Sequence, residues 1–216
     1  MLQPAQLRHR LQLVLPAFAL WLISYQLVAE YTSRLPAVDL TTTLDHAIPF
    51  RAAWIWIYML TYLVPFLAML VVQDDERVYR ALVAVGLASV SAYVVYILYP
   101  VGTPRPFVGD SVADHLVAIQ QRLDYPRNQL PSLHVANAWI LYATVAGDRR
   151  ERWVRAVWAV LAFAITLSTL LVKQHVLLDV LAGLVWAVAA FWASGKVYAR
   201  LRWSAAPRFM GLRRLQ

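Results

Sequence analysis

Residues 81–99, ALVAVGLASVSAYVVYILY, contain no charged side chain. An α-helix rises 1.5 Å per residue and a bilayer core is about 30 Å thick, so about 20 apolar residues cross it. The stretch therefore reads as a membrane span. Leu11 to Val28 and Ala52 to Val72 read the same way, as do Trp153 to Val172 and Val176 to Tyr198. Composition agrees: of 216 residues, 61% are hydrophobic and 15% charged, with a mean hydropathy of +0.54. A soluble domain carries about 45–50% apolar and about 25% charged residues. The first run is longer than a secretory h-region and meets no small-residue cleavage site before Glu30, so it is expected to be a permanent span.

A shorter apolar run, His134 to Ala146, carries Asn137. Counting it gives six helices, and the rule that Lys and Arg stay on the cytoplasmic side of short loops tests that count. With the N-terminus inside, Arg34, Arg51, Arg105, Arg122, Arg127 and Lys173 fall outside, and the other 14 of the 20 Lys and Arg fall inside. The inside set clusters at Arg8 and Arg10, at Arg77 and Arg80, at Arg149, Arg150, Arg152 and Arg155, and from Lys196 to Arg214. Dropping the short run would scatter these clusters across both faces. The fold class expected is therefore all-α, a polytopic membrane protein with six transmembrane helices, both termini cytoplasmic, and one domain over residues 1–216.

The net charge of +8 does not point to nucleic acid, because the basic residues lie in short loops and are not gathered on one soluble face. No cysteine is present, which excludes disulfides, thiolate nucleophiles and thiolate metal sites. The two long loops, Tyr31 to Arg51 and Pro100 to Pro131, fall on the outer side. Trp54, Trp56 and Tyr58 read as aromatic anchors beside them.

Three segments far apart in sequence converge on that outer face: Thr103-Pro104-Arg105-Pro106, Pro131-Ser132-Leu133-His134, and His175 with Asp179. His175 and Asp179 are spaced i, i+4, which puts them on one helix face about 5–6 Å apart. A carboxylate that takes one ring proton fixes the tautomer and leaves the other nitrogen free to attack phosphorus. An ionisable group such as Asp179 inside a span is also a functional-site hypothesis in itself. Pro131 to His134 reads as a helix start, with Ser132 as cap and the unpaired amides beside it, Leu133 included, open to an anion. His134 would stand next to a phosphate there, able to protonate a leaving alkoxide. The Arg105 guanidinium suits phosphate oxygens. Lys173 and Arg127 are further cations at the same depth. Each residue also has a plainer structural reading, as a cap, a packed pair or a loop charge.

Together these segments resemble the type 2 phosphatidic acid phosphatase family, membrane lipid phosphatases that share their site with vanadium haloperoxidases. The resemblance implies His175 as nucleophile, Asp179 as its partner, His134 as general acid, and Arg105 with Pro106 as the end of the first motif. It departs at Leu98, where the family has Lys, and at Thr169, where it has Arg after Ser168. Lys173 and Arg127 are the expected substitutes. Thr169 to Gly183 and Asp45-His46 to Phe50 look more like the branch of inositolphosphorylceramide synthases.

The expected function is a metal-independent, cofactor-free phosphatase acting on a phosphorylated membrane lipid. It would work through a phosphohistidine at the outer face of a bacterial inner membrane. A headgroup transferase and a non-catalytic lipid carrier are the alternatives, and a metal held by His134, His175 and Asp179 is a third.

Overall fold

The computed structural model describes residues 3–148 and 151–209, the stretch 201–209 by backbone alone. Arg149, Arg150, Arg213 and Arg214, counted above with the cytoplasmic cations, lie outside the described residues. The chain is all helical. Its elements are α1 (Pro4–Thr32), α2 (Thr43–Ala47), α3 (Ile55–Val71), α4 (Asp75–Leu98), α5 (Val112–Leu123), α6 (Leu133–Ala146), α7 (Arg152–Leu171) and α8 (Leu177–Phe209). Among the described residues only isolated β-bridges occur, Val38 with Val101 and Val101 with Asn128.

Five of these helices, α1, α3, α4, α7 and α8, are long and apolar enough to cross a membrane. At 14 residues, α6 would extend about 21 Å, short of the bilayer core. Its surroundings explain the shortness. Leu133, His134, Val135 and Ala136 are consecutive and all buried, so no face of that turn looks outward, and α6 packs against α3, α4, α7 and α8. A helix enclosed by protein need not match the lipid around it.

Small residues set how closely the wall closes. Ala84, Ala88 and Ala92 repeat every four residues along α4 and are fully buried, and Ala187 and Ala190 of α8 join the same cluster. Small side chains let transmembrane helices approach closely, where van der Waals packing holds them. Gly183 takes this furthest, since a Cβ there would come within 2.6 Å of the Ser132 carbonyl oxygen and 3.0 Å of Val135 Cβ. The start of α6 is thereby pressed against α8.

The long outer connections are ordered. Thr42 and Asp45 form a capping box that starts α2, and Ser111 and Asp114 form another that starts α5. At the opposite end of the bundle Arg10 is not a loop charge but is 1% exposed. It donates to the Met69 and Val72 carbonyls at 2.6 and 2.5 Å and to Asp75 at 2.7 Å, satisfying orphan carbonyls at the C-terminus of α3.

Candidate active site

The ends of α1, α4 and α7 and the starts of α3, α6 and α8 meet at one end of the bundle, with α2 and α5 across them. After α7 the chain turns through Lys173, whose φ of 56° is left-handed. The Gln174 and His175 amides both return to the Thr169 carbonyl at 3.0 and 3.1 Å. This reversal sets His175 over the first turn of α6.

Asp179 is fully buried. Its Oδ2 lies 3.4 Å from His175 Nδ1 and accepts the Val176 amide at 3.0 Å, while its carbonyl accepts the Ser132 amide at 3.1 Å. The same carboxylate thus orients the histidine and caps α8, so the two readings of this residue coexist. His175 Nε2 points the other way and lies 3.4 Å from His134 Nδ1. The Ser132 cap stands, its Oγ accepting the Val135 amide at 3.4 Å, but His175 and Asp179 do not share a helix face, because α8 begins at Leu177 and His175 lies in the turn before it.

Behind His134 is a partner that spacing does not reveal. Tyr58 is fully buried, not an interfacial anchor, whereas its neighbour Trp56 is 56% exposed as an anchor would be. The Tyr58 hydroxyl lies 2.8 Å from His134 Nε2 and accepts from Gln120 Nε2 of α5 at 3.3 Å. With its oxygen accepting from Gln120, the hydroxyl proton is directed at His134 Nε2, which leaves the ring proton on Nδ1, facing His175. The resulting chain runs Gln120, Tyr58, His134, His175, Asp179, with Tyr58 fixing the tautomer of His134 and Asp179 that of His175. Replacing Tyr58 by Phe is expected to lower kcat on an unactivated lipid phosphate roughly tenfold, the worth of one such hydrogen bond, and to affect p-nitrophenyl phosphate less. An equal fall on both esters would make Tyr58 a packing residue only.

A cavity of about 310 Å³ opens beside His175, with Arg105, Lys173, His46 and Thr103 among its walls together with the carboxylates Asp39 and Asp45. The Arg105 guanidinium is held by Gln174 Oε1 and by the Asp124 carbonyl, the latter at 2.5 Å. Burial raises the Asp124 carboxyl above its usual range, against the pull of Arg105 and a hydrogen bond from Tyr25. Lys173 Nζ donates to the Asp45 carbonyl at 2.7 Å, and desolvation lowers its pKa against the attraction of Asp45. Burial also works against ionising Asp45, yet hydrogen bonds from the Thr42 hydroxyl and the Leu177 amide hold its carboxyl below the usual range.

Arg127 does not join the site. Its guanidinium is spent on the Leu35 and Pro126 carbonyls at 3.1 and 2.9 Å, and it is absent from the cavity wall. Leu98 is 77% exposed and the Thr169 side chain is buried, so of the two proposed substitute cations only Lys173 reaches the cavity. Among the described residues, no three His, Asp or Glu side chains gather closely enough to hold a metal ion.

No curated protein matches the chain. In structure it is similar to LpxE of Aquifex aeolicus, with a TM-score of 0.54 and 17% identity, covering 74% of this chain and 99% of that one; at that identity the likeness is one of fold. The model of the PAP2 superfamily matches residues 19–193, a stretch that holds every residue of the site just described, and the chain belongs to that superfamily.

Proposed function

We propose that the protein hydrolyses the phosphate ester of a membrane lipid through a phosphohistidine. The observation that carries this reading is the line from Asp179 through His175 to His134, beside a cavity walled by Arg105 and Lys173. Phosphate displaces the contact between the rings, and the His175 Nε2 lone pair attacks phosphorus. The bond to the lipid oxygen breaks as that oxygen takes the Nδ1 proton of His134, which is the imidazolium at this step, its second proton brought in by the monoanionic phosphate and its Nε2–H turned to the Tyr58 oxygen. Water then gives a proton back to His134 and attacks the phosphohistidine, releasing phosphate and restoring His175. Arg105, Lys173 and the Leu133 amide at the start of α6 stabilise the charge on the phosphoryl oxygens, the main task in phosphoryl transfer. Basic clusters at the opposite end of the bundle support a reading in which this chemistry faces outward, since Lys and Arg of short loops favour the cytoplasmic side.

The test is a short-chain lipid phosphate that cannot cross the membrane, supplied to intact cells that express the protein. Phosphate is expected in the medium without permeabilisation. Release only after permeabilisation would reverse the orientation. Loss of the ester with the phosphoryl group recovered on a second lipid would make the enzyme a transferase, the reading favoured by the placing of His46 in the cavity wall. Binding with neither product would leave a lipid carrier.

A further inference from the structure

A second cavity, also of about 310 Å³, lies within the bundle between α1, α3, α4 and α6. His134 stands at its head, and its walls include Trp21, Met69, Gly86, Val90 and Leu141. It follows α6 from His134 to Thr144, a depth of about 15 Å. On the bilayer side it is bordered by Leu20 and Val90, 68% and 65% exposed. Gly86, exposed and one turn before Val90 on α4, also lines the cavity, and a Cβ built there would meet no atom within 4 Å.

From these features we infer that this cavity receives one hydrocarbon chain of the lipid substrate, which enters sideways from the bilayer between α1 and α4 across Gly86. The inference rests on the hydrolytic reading above, and two physical arguments support it. In phosphoryl transfer the attacking and leaving atoms are roughly in line. Attack by His175 therefore sends the lipid oxygen, and the chain it carries, to the His134 side, where this cavity begins. An apolar cavity of roughly half the size stays dry and takes up a hydrocarbon in preference to water, and here the adjoining solvent is itself hydrocarbon. Phosphate and chain then occupy separate cavities, one lined by His175 and the other by His134, whose rings lie 3.4 Å apart. Glycine in mid-helix costs about 1 kcal/mol relative to alanine, so Gly86 weakens α4 while leaving a gap in its outer face.

The experiment narrows that gap and compares esters that differ only in the leaving group. Gly86→Ala, Gly86→Leu and Gly86→Trp are assayed with hexadecyl phosphate, butyl phosphate and p-nitrophenyl phosphate. The ratio of hexadecyl to p-nitrophenyl turnover is expected to fall with side-chain bulk, by at least about tenfold at Leu, while the butyl ratio changes by less than about twofold. A hexadecyl ratio that does not change with bulk would overturn the inference, as would a parallel fall in all three activities for the stabilising Gly86→Ala. Independently of turnover, hexadecyl phosphate bearing a mid-chain diazirine should label α1 and α4 in the wild type and not in Gly86→Trp; absence of labelling in the wild type overturns the site. Labelling without hydrolysis of any ester would instead keep the chain site and refute the phosphatase reading.

Discussion

Replacing His175 by Ala is expected to abolish turnover on every phosphate ester, by a factor of at least about 10⁴, the scale on which loss of a nucleophile is felt. No other side chain is placed to attack. Asp179 is turned toward His175 Nδ1 and the Val176 amide, and His134 is held by Tyr58 on one nitrogen. Wild type quenched during turnover should carry an acid-labile, alkali-stable phosphoryl group, and His175→Ala should carry none. Folding should survive, because the His175 ring makes no contact on which a helix depends; its amide, which the substitution keeps, bonds the Thr169 carbonyl. Residual activity on either a lipid phosphate or p-nitrophenyl phosphate would remove His175 from its role.

His134→Ala should fail differently. A positioned general acid is worth about 10²–10⁴ when the leaving group is a poor one, so hydrolysis of an alkyl phosphate should drop by that factor. p-Nitrophenolate departs with little help, so its release in the first turnover, before the phosphoenzyme must be hydrolysed, should fall far less. The phosphoenzyme should still form from the activated ester and then persist, because water no longer has a base to accept its proton. Equal loss on both esters would mean that His134 holds the substrate and does not protonate it.

Much of this arrangement was legible in the sequence. Charge-free runs located the five helices long enough to cross a membrane, and the short run at His134 to Ala146 is a helix too, although its length leaves it outside that five. His175 with Asp179, and the Ser132 cap with His134 two residues on, are close in sequence, so each could be read locally, although His175 proves to lie in the turn before α8 and not on it. Tyr58 and Gln120 were not legible, because their link to His134 joins positions 76 and 62 residues apart through tertiary packing alone. A tyrosine next to two tryptophans reads as an interfacial anchor until its burial is known. The helix that carries Gln120 did leave a signal, since Ser111 followed three residues later by Asp114 is a capping pattern. Arg127 was misplaced because charge and depth were all the sequence offered, and the carbonyls that occupy it belong to Leu35 and Pro126.

The clamp between α2 and α8 has a consequence for the order of synthesis. Asp45 uses Oδ2 within its own capping box, where it accepts the Thr42 hydroxyl at 2.6 Å, and gives Oδ1 to the Leu177 amide at 2.8 Å, 132 residues later. A ribosome adding about 5–20 residues per second makes those residues in something on the order of ten seconds. During that interval α2 can form on its own cap, but the half-site of His134 and Arg105 has neither nucleophile nor clamp. His175, Asp179 and Gly183 all arrive with α8 and the turn before it, so on the proposed mechanism a nascent chain stays inert until α8 is made, and a chain truncated before that turn is expected to bind a phosphate ester without cutting it.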